Sequence, residues 1–298
     1  MRNWPAGNCN LRSMKIYPEC VPCLLKRCLY EARLVDDERE SEVIKSALSI
    51  LDENFEESAV SAEVATKVHE NVYQILGNDD PYLEVKKRSN STAEKLLPRA
   101  EEMAEKGFRE AVLVSIAGNI LDFGYRDDIA SPKYLTREFE NIIDQGLAQD
   151  DTEEIEELLE KGKEVIYFTD NAGEIVFDTV LLKKLKEYDI HLTVVVKDKP
   201  ILTDATMEDA LKYDIDAIAD QLETTGGYAV GVDFDLLPEE VKEKLERADL
   251  IIAKGMANWE SFSETDYSPI AFLTRSKCKP VSETMSVPYD ENVAKLFK

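Results

Sequence analysis

The feature that most limits the fold of this chain is a series of short, apolar-rich runs spaced through its second half. "EVIYFT" (164–169), "HLTVVVKD" (191–198), "IDAIAD" (215–220) and "DLIIAKG" (249–255) read as buried strands. Helical patterns lie between them: "EIVFDTVLLKKLKEY" (174–188) separates the first two, and "PEEVKEKLERA" (238–248) precedes the fourth. A strand that is apolar on both sides must be covered on both sides. The alternation therefore predicts an α/β fold, a three-layer α/β/α domain with a mostly parallel sheet. Ligands in such sheets bind beyond the carboxyl ends of the strands. The residues that follow each run are where function is expected.

The first half reads differently. From residue 20 to about 160 apolar residues recur at three- and four-residue spacing, as in "SEVIKSALSILDENF" (41–55) and "SAEVATKVHENVYQIL" (61–76). "AEKLLPRAEEMAEKG" (93–107) reads as a helix interrupted at Pro98 and stopped by Gly107. The length of "FREAVLVSIAGNILDFGY" (108–125) favours a buried helix. The expected organisation is a disordered extension at 1–13, an all-helical domain at 14–160 and an α/β domain at 161–298. A chain of 298 residues can bury such a pair of cores.

Charge narrows the partners. The formal net charge is −25, from 61 acidic and 36 basic residues. Such a surface repels a phosphate backbone, so no nucleic-acid partner is expected. A small anionic substrate is accommodated only where a cation or convergent lysines reverse the local field. No apolar run is long enough to cross a bilayer, and the first residues contain no apolar signal core. The expectation is a cytoplasmic protein with no membrane partner.

The strand ends carry the chemistry. Asp170, Asn171, Gly173 and Glu174 follow the first run at an abrupt strand-to-helix junction. One reading is a helix cap, for which Asp, Asn and a first-turn Glu are all suited. The other is functional: Gly173 permits close backbone approach, and the amides opening the helix form an anion site. Lys197, Lys199 and Asp204 follow the second run, and Lys254, Gly255, Asn258 and Glu260 the last. One sheet thus brings oxygen ligands and lysines to one edge. Carboxylates and an amide oxygen suit magnesium or manganese, and lysines bind phosphate as point charges. Together they describe a metal-assisted phosphate site, with Gly173, Lys197, Lys254 and Asn258 on the substrate side.

Other groups need weighing. Of five cysteines, four lie within the first 28 residues, and an odd count argues against a disulfide framework. Cys20, Cys23 and Cys28, with Cys278, are candidates for a second, thiolate metal site or a redox group. The alternative is a set of reduced, buried thiols. His69 and His191 lie far from every cluster in sequence and read as structural or solvated. "GVDFDLL" (231–237) approximates the nucleophile loop of haloacid-dehalogenase-like phosphatases, but Leu237 stands where that pattern needs Thr or Val. "TTGGYAVG" (224–231) contains no phosphate-loop pattern and reads as a loop at the sheet edge.

The motifs "DNAGE" (170–174), "KDKPILTDAT" (197–206) and "AKGMANWE" (253–260), with "AGNILDFG" (117–124) and "CVPC" (20–23), resemble the damage-control phosphatase family. This family was formerly domain-of-unknown-function family eighty-nine, and the likeness is to its compact archaeal-type branch. The resemblance implies a metal-dependent phosphatase of small phosphorylated metabolites, such as sugar phosphates or related damaged metabolites. It maps the metal ligands onto Asp170, Asn171 and Asp204, with Asp209 as a rival to Asp204. It makes Lys254 the phosphate-binding residue and turns Asn119 and Asp122 toward the site. The cofactor is a divalent cation: manganese, magnesium, cobalt or nickel. Water attack is favoured over an aspartyl phosphate on Asp170, because a metal-bound carboxylate is a poor nucleophile. Glu174 either orients that water or caps the helix. Two other functions stand beside this one: a non-enzymatic metal-binding scaffold, and a carboxyl methyltransferase-like enzyme. The second is disfavoured, because no glycine-rich cofactor loop follows the first strand.

Overall fold

The computed structural model of the chain describes residues 13–121 and 132–298. All but the last residue of the expected extension at 1–13 lie outside the described residues. The helices of the first half are α1 (Cys20–Val35), α2 (Glu40–Asn54), α3 (Ser61–Leu76), α4 (Leu83–Ala104), α5 (Phe108–Ala117) and α6 (Pro132–Gln145). Each presents an apolar stripe. In α3 the buried Val64, Val68, Val72 and Leu76 recur at every fourth position, so one face of the helix is removed from water. α4 runs unbroken through Pro98, where an interruption was expected. A proline inside a helix forfeits one amide donor and crowds the preceding turn. Here Leu96 and Ala100, on either side of it, are buried and hold the helix in place.

The second half supplies β1 (Gln149–Asp150), α7 (Thr152–Lys161), β2 (Glu164–Phe168), α8 (Glu174–Leu185) and β3 (His191–Val196). Then come α9 (Met207–Lys212), α10 (Ile215–Ile218), β4 (Gln221–Thr224), α11 (Glu239–Arg247), β5 (Leu250–Lys254) and α12 (Gly255–Phe262). β6 (Ile270–Arg275), α13 (Lys279–Met285) and β7 (Asn292–Phe297) complete the described elements. The strands form one sheet in the order β1-β7-β6-β5-β2-β3-β4. β2 to β6 are mutually parallel, β7 is antiparallel to β6, and β1 is parallel to β7. "IDAIAD" is corrected from strand to helix: it forms α10, and the strand follows at Gln221–Thr224. β4 is an edge strand, half-buried along its whole length, so no apolar run marks it.

The side-chain alternation of the strands separates two cores. Val165, Tyr167, Val194, Val196 and Ile252 face the cluster that contains α5 and α8. Ile166, Phe168, Val195, Ile251 and Ala253 face the opposite cluster, with Val241, Trp259, Phe262 and Val281 from α11, α12 and α13. This is the expected three-layer architecture. Part of the first half joins it: β1 belongs to the sheet, and α5 packs on α8, β6 and β7. Gly118 lets that approach close, since a Cβ there would press on Phe177 and on the backbone of Glu174. Among the described residues no helix is long and apolar enough to cross a membrane.

The order of the strands positions the site. From β2 the chain steps outward through β3 to β4, then returns to the other side of β2 with β5. The connections leaving β2 and β5 therefore diverge, and a crevice opens between them.

Candidate active site

Asp170 and Asn171 leave β2 at that switch point. The segment after β3 is fastened to them through the backbone. The Ala205 amide donates to the Asp170 carbonyl at 2.8 Å, the Ala172 amide to the Thr203 carbonyl at 2.8 Å, and Asn171 and Asp204 form an isolated bridge. The Thr203 hydroxyl donates to Asn171 Oδ1 at 2.7 Å, and Asn171 Nδ2 donates to Asp170 Oδ2 at 2.6 Å. From the other strand, Gly255 meets Asp170. Its φ is +78°, and a Cβ there would collide with the Asp170 carboxylate.

Behind this surface lies a buried ionic network. Lys254, fully buried at the end of β5, donates to Glu174 Oε1 at 2.6 Å and to Asp178 Oδ1 at 2.7 Å. Ser115 and Tyr167 hydroxyls donate to the same Asp178 oxygen at 2.7 and 2.8 Å. Glu174 Oε2 accepts from Asn119 Nδ2 at 2.8 Å and from Asn171 Nδ2 at 3.2 Å. Asn119 Nδ2 also reaches Asp170 Oδ2 at 3.1 Å. Burial disfavours a charge on Lys254, but Asp178 and Glu174 outweigh it and hold the pKa well above the ordinary lysine value. Burial pushes the Glu174 carboxyl upward, and Lys254 works against that shift.

A cavity of about 170 Å³ opens over Asp170, Asn171, Asp204 and Asn119. These are the expected residues that the structure brings together. Asp209 does not join them: its carboxylate closes a capping box with Thr206 on α9 and accepts from Asn90 Nδ2 at 2.7 Å. Asp122 lies outside the described residues.

Several of the expected residues lie elsewhere than on the cavity wall or are engaged by protein groups. Lys254 does not face the cavity, because two carboxylates hold its ammonium behind the Asp170 surface. Glu174 is only 1% exposed and is fully engaged in positioning amides and the lysine. Gly173 offers no free amide, since its N–H donates to Asn90 Oδ1 at 2.6 Å. The Ala172, Ile175 and Val176 amides also have backbone acceptors. Asn258 ties strand ends together, donating to the Thr169 carbonyl at 3.1 Å and the Lys254 carbonyl at 2.7 Å. Lys197 is buried against Asp204, 3.4 Å away, and donates to the carbonyls of Ala229 and Gly231. It thereby holds the "TTGGYAVG" loop to the site. Lys199 is exposed, and Asp233 and Asp235 lie on an exposed turn, which removes the dehalogenase-like reading.

Other residues on the wall were not anticipated. Arg27 and Lys277 line the cavity and bring positive charge to it. Cys20, Cys23 and Cys278 line it as well, beside Glu260, so the cysteines and the strand-end carboxylates share one cavity. Cys28 is separate from them. It is fully buried with Glu31 and His69, and His69 reaches the cavity wall; the expected trio Cys20, Cys23 and Cys278 is thus brought together, Cys28 stands apart from it, and the expected isolation of His69 does not hold. His191 is half-buried, 3.3 Å from Gln221 Oε1, as a structural residue would be.

The donor set fits a divalent cation. Asp170, Asp204, Glu174 and Asp178 are four buried carboxylates, and Lys197 and Lys254 are two buried ammonium groups. Asn119 Oδ1 is also buried, with no hydrogen-bond partner among the described residues. Oxygen-only donors with an open side toward a cavity favour a hard metal ion.

Residues 16–293 match a family model described as the damage-control phosphatase ARMT1-like domain. A damage-control phosphatase of Archaeoglobus fulgidus is 46% identical over 294 residues, covering 96% of this chain and 100% of that one. An uncharacterised protein of Methanocaldococcus jannaschii is 40% identical, covering 94% of this chain and 95% of that one. The solved structure of a DUF89 family protein from Pyrococcus horikoshii shares the fold with a TM-score of 0.86 at 31% identity, covering 96% of this chain and 100% of that one.

Proposed function

We propose, from the premise that this chain belongs to the damage-control phosphatase ARMT1-like family, that it is a divalent-metal-dependent phosphomonoesterase of small phosphorylated metabolites. The observation that carries this reading is the convergence of Asp170, Asn171 and Asp204 at the β2/β5 switch point, on the floor of a cavity. Asp170, Asp204 and the Asn171 amide oxygen would hold the cation. When bound, it supplies Lewis-acid polarisation of the phosphoryl oxygens and a water of lowered pKa. Asn119 lies against Asp170 and Glu174, where its amide fixes the cavity side of the cluster. Glu174 and Lys254 act from behind as positioning residues. Phosphate is met instead by Arg27 and Lys277 on the wall, which offset the two negative charges a phosphomonoester brings. This reading assigns a small phosphorylated substrate, a cytoplasmic site of action and no nucleic-acid or membrane partner.

The test is phosphate release from a panel of sugar phosphates by metal-stripped protein, resupplied with magnesium, manganese, cobalt or nickel. Turnover is expected only with metal and is expected to fall at least about 100-fold in Asp170→Asn. Lys277→Ala is expected to raise KM more than it lowers kcat. Metal-independent turnover, or full activity in Asp170→Asn, would overturn the reading.

A further inference from the structure

α1 and α3 pack together beside the cavity, and their contact buries a carboxylate and an imidazole, which a core ordinarily excludes, next to a thiol. Cys28 and Glu31 stand three residues apart on α1, on one face of that helix, and His69 meets them from α3. All three are 0% exposed. Their ligand atoms, one from each residue, lie within 4.8 Å of one another.

The hydrogen bonding around them is incomplete. Among the described residues Glu31 Oε1 accepts from the Tyr82 hydroxyl at 3.3 Å, while neither Glu31 Oε2 nor His69 Nε2 has a hydrogen-bond partner. His69 Nδ1 approaches Glu31 Oε1 to 2.8 Å, yet the contact lies off the line of a hydrogen bond. A buried polar atom without a partner is costly, and a buried charge more so. A proton shared between His69 and Glu31 would leave Oε2, Nε2 and the thiol unused. One cation between the three would take one donor atom from each residue.

We infer that Cys28, Glu31 and His69 form a second metal site, distinct from the Asp170 site, that takes a borderline divalent cation of the zinc class. Thiolate, imidazole and carboxylate are the donors such an ion prefers, whereas the all-oxygen set around Asp170 suits harder ions. Binding replaces the thiol proton of Cys28 with the metal. The thiolate and the Glu31 carboxylate then carry two negative charges against the two positive charges of the ion, so the buried cluster is neutral. Tyr82 orients the carboxylate from behind, as outer partners of metal ligands do. His69 also lines the cavity that Asp170 lines. The ion would pin α1 to α3 and so stiffen one wall of the cavity.

The test uses cobalt as an optical stand-in for zinc, because a cobalt–thiolate bond gives a near-ultraviolet charge-transfer band that oxygen ligands do not. The protein would carry Cys9→Ser, Cys20→Ser, Cys23→Ser and Cys278→Ser, leaving Cys28 as its sole thiol, together with Asp170→Asn to weaken the other site. The band is expected to saturate at one cobalt per chain, to be reversed by zinc, and to vanish when Cys28→Ser is added. No band in a sole-thiol protein whose circular dichroism matches the parent would overturn the assignment, as would a band that survives Cys28→Ser. If the multiple variant does not fold, the unmodified protein decides. Zinc is expected to slow alkylation of Cys28, mapped by peptide mass spectrometry, at least about tenfold, and unchanged alkylation would overturn the site. Because Asp170 is already substituted, failure here leaves the phosphatase reading standing, and failure of that reading leaves this one.

Discussion

Asp204 and Asp209 share one short stretch of chain but have different surroundings. Asp204 lies under the cavity beside Asn171, while Asp209 is consumed by the α9 cap and Asn90. Asp204→Asn removes the carboxylate facing the buried Lys197, and in protein whose circular dichroism matches the parent it is expected to lower metal-dependent turnover at least about 100-fold. Asp209→Asn is expected to leave turnover within about threefold and to cost about 1 kcal/mol, a helix cap's worth, in a urea titration. Activity lost in both variants, or in the second alone, would contradict that division. Asp170, Asn171 and Asp204 were legible because a polar residue that follows an apolar strand has nowhere to go but the sheet's carboxyl edge. The lysines were not. Whether Lys254 faces an anion or two carboxylates depends on α5 and α8, which come from distant parts of the chain. His69 was missed because a single histidine in an amphipathic helix carries no signal. A clue was available in α1, where Glu31 continues the buried stripe of Leu24 and Cys28.

At the scale of elements, the site depends on how closely α12 starts against β2. Gly255 adopts a positive φ and faces the Asp170 carboxylate directly. Gly255→Ala must either strain the backbone or displace Asp170, so it is expected to weaken metal activation at least about tenfold, costing about 1–2 kcal/mol of stability. A metal titration of turnover checks this, and an unchanged half-saturation point would mean that Asp170 is held elsewhere. β2, β3 and β5 were readable because each is buried on both sides. β4 was misplaced because an edge strand with Gln221 and Glu223 has only half-buried residues. β7 was unread for a related reason: Lys295 and Leu296 within it are half-buried, so no continuous apolar run marks it.

At the scale of the molecule, Lys254 is a rivet. It joins β5 to α8 through Glu174 and Asp178, and reaches α5 through the Ser115 carbonyl at 3.3 Å. Lys254→Met keeps the volume but strands two buried carboxylates, so it is expected to destabilise the fold by about 3–5 kcal/mol. Unfolding followed by circular dichroism in urea measures this. A loss below about 1 kcal/mol would show that the network is not held by charge. The two-domain boundary at 160 was set by the change from helical to strand-like periodicity, yet β1 lies before it. This has a consequence for synthesis. Among the described residues β1 pairs only with β7, so Gln149 and Asp150 emerge from the ribosome well before their partner strand, which begins at Asn292. At about 5–20 residues per second the wait is on the order of ten seconds. During that interval the nascent chain has an unfinished edge, and a chaperone that covers it would raise the yield of native protein.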